Sequence, residues 1–329
     1  MEFTNESNYF NHTGVPECSL FPTDRVKCRA LLYAKTVTAS LSILGSVLTL
    51  GLVVLFKKYN EHSQRMIIHL SLAALVFGVA YVIQGIPSEN NAICKVQASI
   101  LQFSVCACLL WIMNIAFGIY FRVVYDINIK RYEKILTFLL WTLSLIITAL
   151  PFSDNAYQPA GVWCWLRNDD AWRFGLWYCW RILSIVLFGY TMIHTEITIR
   201  RRRRGTFSTS ITSLTAMESE IKTLRIYPIL YFIVNIFPII NRIQNAAVQL
   251  REQTGYSFTL LLLQTLFDPL FGVTLSLAYV LDGTTRSRLN KAEITDALRR
   301  WRSKPAHVSV YRVPVPSPDM NISVINTHS

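Results

Sequence analysis

Three charged side chains interrupt long apolar stretches of this sequence: Arg181, Arg242 and Asp268. A guanidinium group suits a phosphate or a carboxylate, because its planar array of N–H donors can bond two oxygens at once. In one interpretation, the two arginines therefore bind an anionic group of a ligand. In the other, one of them pairs with Asp268 and holds two helices together. The sequence leaves both interpretations open.

The elements that carry these side chains are seven apolar stretches. The chain has 329 residues, of which 52% are apolar and 16% are charged, whereas a soluble domain carries about 25% charged residues. A bilayer core requires roughly 20 apolar residues per helix. The stretches that meet this length are 31–56, 66–87, 94–121, 135–152, 171–199, 222–249 and 255–281. The sequence therefore predicts an all-α membrane protein with a seven-transmembrane helix bundle over residues 31–283.

The distribution of basic residues predicts the orientation of the bundle. Of the 32 lysines and arginines, 22 lie in the segments 57–65, 122–134, 200–225 and 286–312. These segments share one side when seven helices alternate, and the positive-inside rule places that side in the cytoplasm. The net charge of +12 is thus explained by position and does not indicate nucleic acid as a partner. We expect a plasma-membrane protein with an extracellular N-tail, residues 1–30, in which Asn5 and Asn11 begin glycosylation sequons.

Polar residues on one helix face predict a cavity. Arg242 shares its face with Asn235, Asn245 and Gln249, and Gln264 lies one turn before Asp268. Polar and charged groups inside a membrane are costly and usually face the interior of the bundle. This pattern indicates a hydrated cavity that opens to the outside.

The predicted cytoplasmic face carries two strongly basic segments. One is a run of five arginines after the fifth helix: Arg200, Arg201, Arg202, Arg203 and Arg204. It can anchor the chain on anionic inner-leaflet lipid, or it can dock an acidic cytoplasmic partner. The other begins at Thr284 and predicts a short amphipathic helix on the inner leaflet, followed by a disordered tail, within residues 284–329.

Cysteines and prolines add two further expectations. Cys18, Cys28, Cys94 and Cys164 fall outside the cell, where disulfides persist. Four cysteines allow three connectivities, and we favour the pairs Cys94–Cys164 and Cys18–Cys28. Cys106, Cys108 and Cys179 lie within spans and are predicted core residues. Pro238 and Pro269 should kink the sixth and seventh helices, because proline removes a backbone donor.

Several motifs resemble one known family. They are Trp163-Cys164-Trp165, Trp172-Arg173-Phe174-Gly175-Leu176, Cys108-Leu109-Leu110-Trp111, and Asn241-Arg242-Ile243 with Asn245 beyond it. Over residues 94–250 the sequence thus resembles the cyclic-AMP-receptor-like family of G-protein-coupled receptors. The third helix ends Tyr120-Phe121-Arg122, without the acidic-Arg-Tyr triplet of rhodopsin-like receptors, so activation details of the latter do not transfer.

The resemblance implies a disulfide between Cys94 and Cys164, a lid formed by Trp163 and Trp165, and ligand contact for Arg173 and Arg242. It also implies that a heterotrimeric G protein binds the cytoplasmic face.

These observations together predict a receptor for an extracellular small-molecule ligand. The predicted ligand-binding residues are Trp163, Trp165, Arg173, Arg181, Arg242, Asn245 and Asp268, and the predicted G-protein-facing residues are Arg122 and Arg200–Arg204. The alternative function is a multi-pass transporter or channel for a small anion. An enzyme is not expected, because only His69 and His194 among the histidines lie in spans. Neither a metal nor another cofactor is expected.

Overall fold

The computed structural model describes residues 24–83, 91–160, 163–167, 170–205, 211–250 and 257–302. Within these residues, seven helices are long and apolar enough to cross a membrane, and we number them as spans in chain order. They are Val26–Leu55, His62–Ile83, Ala92–Val124, Ile129–Asp154, Ala171–Arg202, Ile221–Asn245 and Phe258–Leu281. The predicted seven-helix bundle is confirmed. Asn5, Asn11 and Cys18 lie outside the described residues.

The first four spans are nearly continuous helices. Their α-helices are Arg25–Leu55, His62–Ile83, Asn91–Val124 and Glu133–Ala149, and 3₁₀ turns occupy Lys58–Asn60, Ile129–Tyr132 and Leu150–Asp154. The first helix begins before the predicted residue 31, because the Asp24 side chain caps it by accepting a hydrogen bond from the Lys27 backbone N–H at 3.1 Å. Hydropathy alone could not locate this start, since the first turns are polar.

The last three spans are interrupted. The fifth consists of Asp170–Arg173, a π-helical turn at Phe174–Tyr178, and Cys179–Gly205. The sixth consists of Ile211–Val234 and Ile236–Leu250, which meet at Asn235. The seventh consists of Phe258–Phe267, a 3₁₀ turn at Asp268–Leu270, and Phe271–Leu281.

Two of these interruptions lie where prolines predict them. Pro238 has no N–H to donate a helical hydrogen bond to the carbonyl of Val234. The sixth span breaks at Asn235, which directly follows Val234. Pro269 lies inside the 3₁₀ turn of the seventh span. A further proline, Pro228, lies within the helix Ile211–Val234, which continues through it.

The basic stretch after the seventh span forms two helices, Gly283–Arg288 and Lys291–Arg302. The sequence predicts a single amphipathic helix here, so the division into two helices is a correction. In the second helix, Ile294, Leu298 and Trp301 follow the spacing of a single helical face, and Leu298 and Trp301 are about half exposed.

The core has two apolar clusters along the bundle. The inner cluster is built around Trp111 and Ile112 of the third span, with Tyr227 and Leu275 from the sixth and seventh. The outer cluster contains Tyr81, Leu261 and three tryptophans, Trp163, Trp165 and Trp177. The third span packs against the second, fourth, fifth and sixth, so it is the central helix.

An outer hairpin covers the third span. Strand β1, Tyr157–Pro159, pairs antiparallel with β2, Cys164–Leu166. Cys94 and Cys164 form a disulfide with a Cα–Cα distance of 5.4 Å, as predicted. The Tyr157 hydroxyl also donates to the Thr148 carbonyl at 2.8 Å, and burial raises the pKa of this hydroxyl, so it remains a donor.

The remaining cysteines follow the prediction in part. Cys28 is disulfide-bonded, while Cys18, its predicted partner, lies outside the described residues. Cys106 and Cys108 are buried thiols. Cys179 is exposed, so its predicted core position is wrong. Membership of an apolar span does not tell which side of the helix faces the bundle.

The first and seventh spans approach each other closely at two glycines, Gly45 and Gly272. A Cβ atom on Gly272 would lie 2.4 Å from the Ser42 carbonyl oxygen, and one on Gly45 would lie 2.7 Å from the Gly272 carbonyl oxygen. The Gly272 N–H donates to the Ser42 hydroxyl at 2.8 Å. This contact holds the seventh span against the first directly after the 3₁₀ turn.

We expect Gly272→Ala to lower the stability of the bundle by about 1–3 kcal/mol, because the added methyl group forces two backbones apart. Gly189→Ala is the matched control, since a Cβ on Gly189 would meet no atom within 4 Å. The measurement is the thermal unfolding midpoint of the detergent-solubilised chain. Equal midpoints for the two variants would contradict the close packing.

Candidate functional site

Two small cavities lie between the outer hairpin and the middle of the bundle. The outer one, about 20 Å³, is lined by Trp163, Trp165, Arg181, Arg242 and Asp268, among other residues. The deeper one, about 10 Å³, is also lined by Arg181 and Asp268. Each has room for about one or two water molecules. Five of the seven predicted ligand-binding residues therefore line these cavities.

The Trp-Cys-Trp motif forms the roof because side chains alternate along an extended chain. Trp163 and Trp165 both line the outer cavity, and Cys164 between them reaches the third span through its disulfide. The Cys164 N–H donates to the Gln97 side chain at 3.3 Å, and the Trp165 indole N–H donates to the Gln102 side chain at 3.0 Å. Two polar side chains of the third span thus position the roof.

Arg181 links the cavities to the sixth span. It is buried, and its guanidinium donates to the Tyr231 hydroxyl at 2.5 Å. The guanidinium also lies 5.3 Å from the ring centres of both Trp177 and Tyr231. Such ring faces stabilise a cation that is removed from water.

Arg242 lies directly beneath the roof. Its guanidinium is 4.5 Å from the centre of the Trp165 ring and 5.7 Å from that of Trp163. The Tyr178 hydroxyl, at the π-helical turn of the fifth span, donates to the Arg242 backbone carbonyl at 3.0 Å. The π-helical turn therefore contacts the segment that carries Arg242.

Asp268 receives a hydrogen bond from the second span. The Tyr81 hydroxyl donates to its carboxylate at 2.6 Å. In the described part of the chain, Arg181 has no carboxylate within salt-bridge distance, so it faces Asp268 across the cavities without a direct ion pair. Arg181 thus lines a cavity together with Asp268, and it does not form an ion pair with that residue.

Two predicted residues lie apart from these cavities. Arg173 donates to the Leu166 carbonyl at 3.0 Å, and its guanidinium lies 5.7 Å from the Trp165 ring centre on the loop. Asn245 is half-buried and is not among the residues that line either cavity. Asn235, the first residue of the polar face predicted on the sixth span, lies at the break in that span and lines the deeper cavity.

Sequence reasoning missed four residues that complete the site: Tyr81, Gln102, Trp177 and Tyr231. Three of them hold a predicted residue by a hydrogen bond, and Trp177 stacks on Arg181. A buried tyrosine or glutamine needs a polar partner. Its presence in an apolar span is therefore a weak sign that another polar group lies nearby. The partner of each could not be found without the three-dimensional arrangement.

The predicted cytoplasmic end carries several ion pairs, one of which joins the fifth and sixth spans. Glu196 of the fifth span accepts hydrogen bonds from Arg200 at 2.8 Å and from Arg225 of the sixth span at 3.1 Å. Arg122, at the end of the third span, lies 3.8 Å from Asp126. Arg201 and Arg204 are exposed and Arg202 is half-buried, whereas the side chain of Arg203 lies outside the described part.

A buried lysine marks the loop between the first and second spans. The Lys58 ammonium donates to the Thr285 hydroxyl at 3.2 Å. Burial, and then the nearby Arg288 guanidinium, lower the pKa of Lys58. The described residues contain no group of three or more His, Cys, Asp or Glu side chains that could hold a metal ion.

Comparison with known proteins gives a consistent set of relatives. A family model described as slime mold cyclic AMP receptor matches residues 24–295. Cyclic AMP receptor 2 of Dictyostelium discoideum is 32% identical over 169 residues, which are 49% of this chain and 43% of that protein. Cyclic AMP receptor 4 of the same organism is 29% identical over 230 residues, 65% of this chain and 50% of that protein.

A more distant relative is Adhesion G-protein coupled receptor G5 of Homo sapiens, 26% identical over 176 residues, which are 49% of this chain and 33% of that protein. The chain thus spans half or less of the length of these curated relatives. The family model nevertheless covers all seven spans and both cavities. The chain is therefore a multi-pass plasma-membrane protein that belongs to the slime mold cyclic AMP receptor family.

Proposed function

We propose that this chain is a G-protein-coupled receptor that binds an extracellular anionic ligand of the cyclic-nucleotide kind and activates a heterotrimeric G protein. The observation that carries the proposal is that Arg181, Arg242 and Asp268, from three different spans, line one cavity. Two buried guanidinium groups suit an anionic ligand. The names of the Dictyostelium relatives support a cyclic nucleotide as the first ligand to test.

Ligand binding requires the outer cavity to enlarge, because about 20 Å³ holds only one or two water molecules. We propose that Trp165 is the side chain that moves, since its ring centre lies 5.7 Å from the Arg173 guanidinium and 4.5 Å from that of Arg242. The ligand then selects an open arrangement of the bundle over the closed one described above.

The signal passes to the inner end through the helix breaks. Arg181 bonds Tyr231, which lies four residues before the break at Asn235, and Asp268 begins the 3₁₀ turn of the seventh span. Asn235 and Asp268 both line the deeper cavity. A ligand that alters the contacts of Arg181 and Asp268 therefore acts directly on the segments beside the interruptions of the sixth and seventh spans.

At the inner end, an outward movement of the sixth span separates Arg225 from Glu196. In this proposal Arg122 and Arg200–Arg204 then bind an acidic surface of the G protein at the opened inner end. The helix Lys291–Arg302, with Leu298 and Trp301 on one face, lies on anionic inner-leaflet lipid in this proposal.

The ligand proposal is tested by titrating extracellular cyclic AMP on intact cells and measuring G-protein dissociation. We expect a saturable response in the wild type and a loss of about tenfold or more in potency for Arg242→Gln, because a charged hydrogen-bond donor is removed. Arg167→Gln is the matched control, since Arg167 lies on the outer hairpin and pairs with Asp154 at 2.7 Å.

Unchanged potency in Arg242→Gln would contradict the role of that arginine. A wild type that reaches the surface, remains silent and carries an anion current would favour the transporter or channel alternative.

We expect Glu196→Gln to raise basal G-protein signalling, because it removes the negative charge that Arg200 of the fifth span and Arg225 of the sixth share. The increase should be no more than several-fold, since an exposed ion pair contributes only about 0–1 kcal/mol. Asp154→Asn removes the charge of an exposed carboxylate at the outer end and serves as the control. A basal signal equal to that of the control would contradict the idea that Glu196 holds the inner ends of the fifth and sixth spans together.

Neutralising Arg122 together with Arg200–Arg204 as glutamines should abolish coupling while leaving ligand binding intact, because these residues lie at the inner end. Neutralising Arg286 and Arg288 instead tests whether any loss of positive charge has the same effect. The measurement is G-protein dissociation at matched surface expression. Preserved coupling in the first variant would exclude the arginine run as a docking surface.

A further inference from the structure

A hydrogen bond joins the inner ends of the sixth and seventh spans. The Thr223 hydroxyl, near the start of the sixth span, donates to the Asp282 carboxylate at 2.9 Å. Asp282 directly follows Leu281, the last residue of the seventh span. Thr223 and Asp282 are both half-buried. The bond therefore connects two helices at the predicted cytoplasmic end of the bundle.

Asp282 is held in place by the segments around it. Its backbone carbonyl accepts hydrogen bonds from the N–H groups of Thr285 at 3.0 Å and Arg286 at 2.7 Å, in the helix that follows the seventh span. The Thr285 hydroxyl in turn accepts from the ammonium group of Lys58 at 3.2 Å. Lys58 is buried and belongs to the loop between the first and second spans. That loop and the following helix thus position Asp282 together.

The inner half of the seventh span is anchored as well. The Gly272 N–H, at its outer end, donates to the Ser42 hydroxyl of the first span at 2.8 Å. A Cβ atom on Gly45 would lie 2.7 Å from the Gly272 carbonyl oxygen, so the two backbones are in contact there. A movement of the inner half away from the first span would break these contacts. Asp282 therefore belongs to a part of the inner end that is held from several sides.

Thr223 lies on a segment that is less firmly attached. Its helix, Ile211–Val234, is separated from the outer half of the sixth span by the break at Asn235. Arg225 of the same helix bonds Glu196 of the fifth span, but these two side chains are 46% and 39% exposed, and exposed ion pairs contribute little. Water screens a half-buried hydrogen bond to a carboxylate less strongly. We therefore expect the bond to Asp282 to hold this segment more strongly than the ion pair does.

We propose that the hydrogen bond between Thr223 and Asp282 is a latch that keeps the inner end of the bundle closed until a ligand binds. An outward movement of the sixth span carries Thr223 away, whereas Asp282 stays with the seventh span and the loop that contains Lys58. The bond breaks when the bundle opens, so it adds to the free energy that opening requires. This inference rests on the opening movement proposed above and assigns part of the resistance to one hydroxyl group.

The test is a distance measurement on the purified full-length chain, without ligand or G protein. One nitroxide label is attached at Lys222→Cys on the sixth span and another at Lys134→Cys near the inner end of the fourth, because both lysines are exposed. Cys179→Ser removes an exposed thiol that would also react with the label. Pulsed electron paramagnetic resonance then gives the fractions of closed and open bundle.

We expect Thr223→Val to raise the ratio of open to closed bundle by about tenfold or more, because valine keeps the shape of threonine but cannot donate to the carboxylate. Thr223→Ser keeps the hydroxyl and should retain the wild-type ratio. Thr198→Val is the matched control, since the Thr198 hydroxyl donates to the His194 carbonyl of its own helix at 2.9 Å.

Equal ratios in Thr223→Val and Thr198→Val, or in Thr223→Val and Thr223→Ser, would overturn the latch. Glu196→Gln, measured with the same labels, separates this failure from that of the opening movement. If Glu196→Gln raises the open fraction while Thr223→Val does not, the sixth span moves but the hydroxyl does not hold it. If neither variant raises it, the outward movement itself is refuted, and the latch with it.

Discussion

The position of three charged side chains inside the bundle, those of Arg181, Arg242 and Asp268, is the constraint on which this structure depends. A charge inside a bilayer is costly unless it is paired, hydrogen-bonded or hydrated. Arg181 meets this condition through a tyrosine hydroxyl and two ring faces, Arg242 through the tryptophans of the roof, and Asp268 through Tyr81. These partners come from the second, fifth and sixth spans and the outer hairpin. The charges are therefore stable only when the whole outer half of the bundle is assembled.

The same region contains the least regular backbone. The fifth span has a π-helical turn, the sixth breaks at Asn235, and the seventh passes through a 3₁₀ turn at Asp268. Irregular backbone within a membrane must be satisfied by other groups or by water. The Asn235 side chain donates to the Tyr231 carbonyl at 2.7 Å, and the Gly272 N–H donates to Ser42. The breaks are thus stabilised by single side-chain contacts, which a change in the nearby charges can alter.

The hairpin closes this arrangement from outside. Its disulfide to Cys94 and its hydrogen bonds to Gln97 and Gln102 all reach the third span, the central helix of the bundle. The roof is consequently fixed to a helix without a break, whereas Arg181, Arg242 and Asp268 beneath it lie on the three spans that have breaks.

The sequence by itself determined the class of fold, the seven spans and the family, because hydropathy, charge position and the Trp163-Cys164-Trp165 motif are local properties of the chain. It also located Arg181, Arg242 and Asp268, since a charge is conspicuous in an apolar stretch. Only the tertiary structure decided that Arg181 faces Asp268 across a cavity and bonds Tyr231 instead, because both depend on the rotation of each helix about its axis. For the same reason Cys179 proved exposed and Asn245 lay apart from the cavities, although both belong to the expected spans.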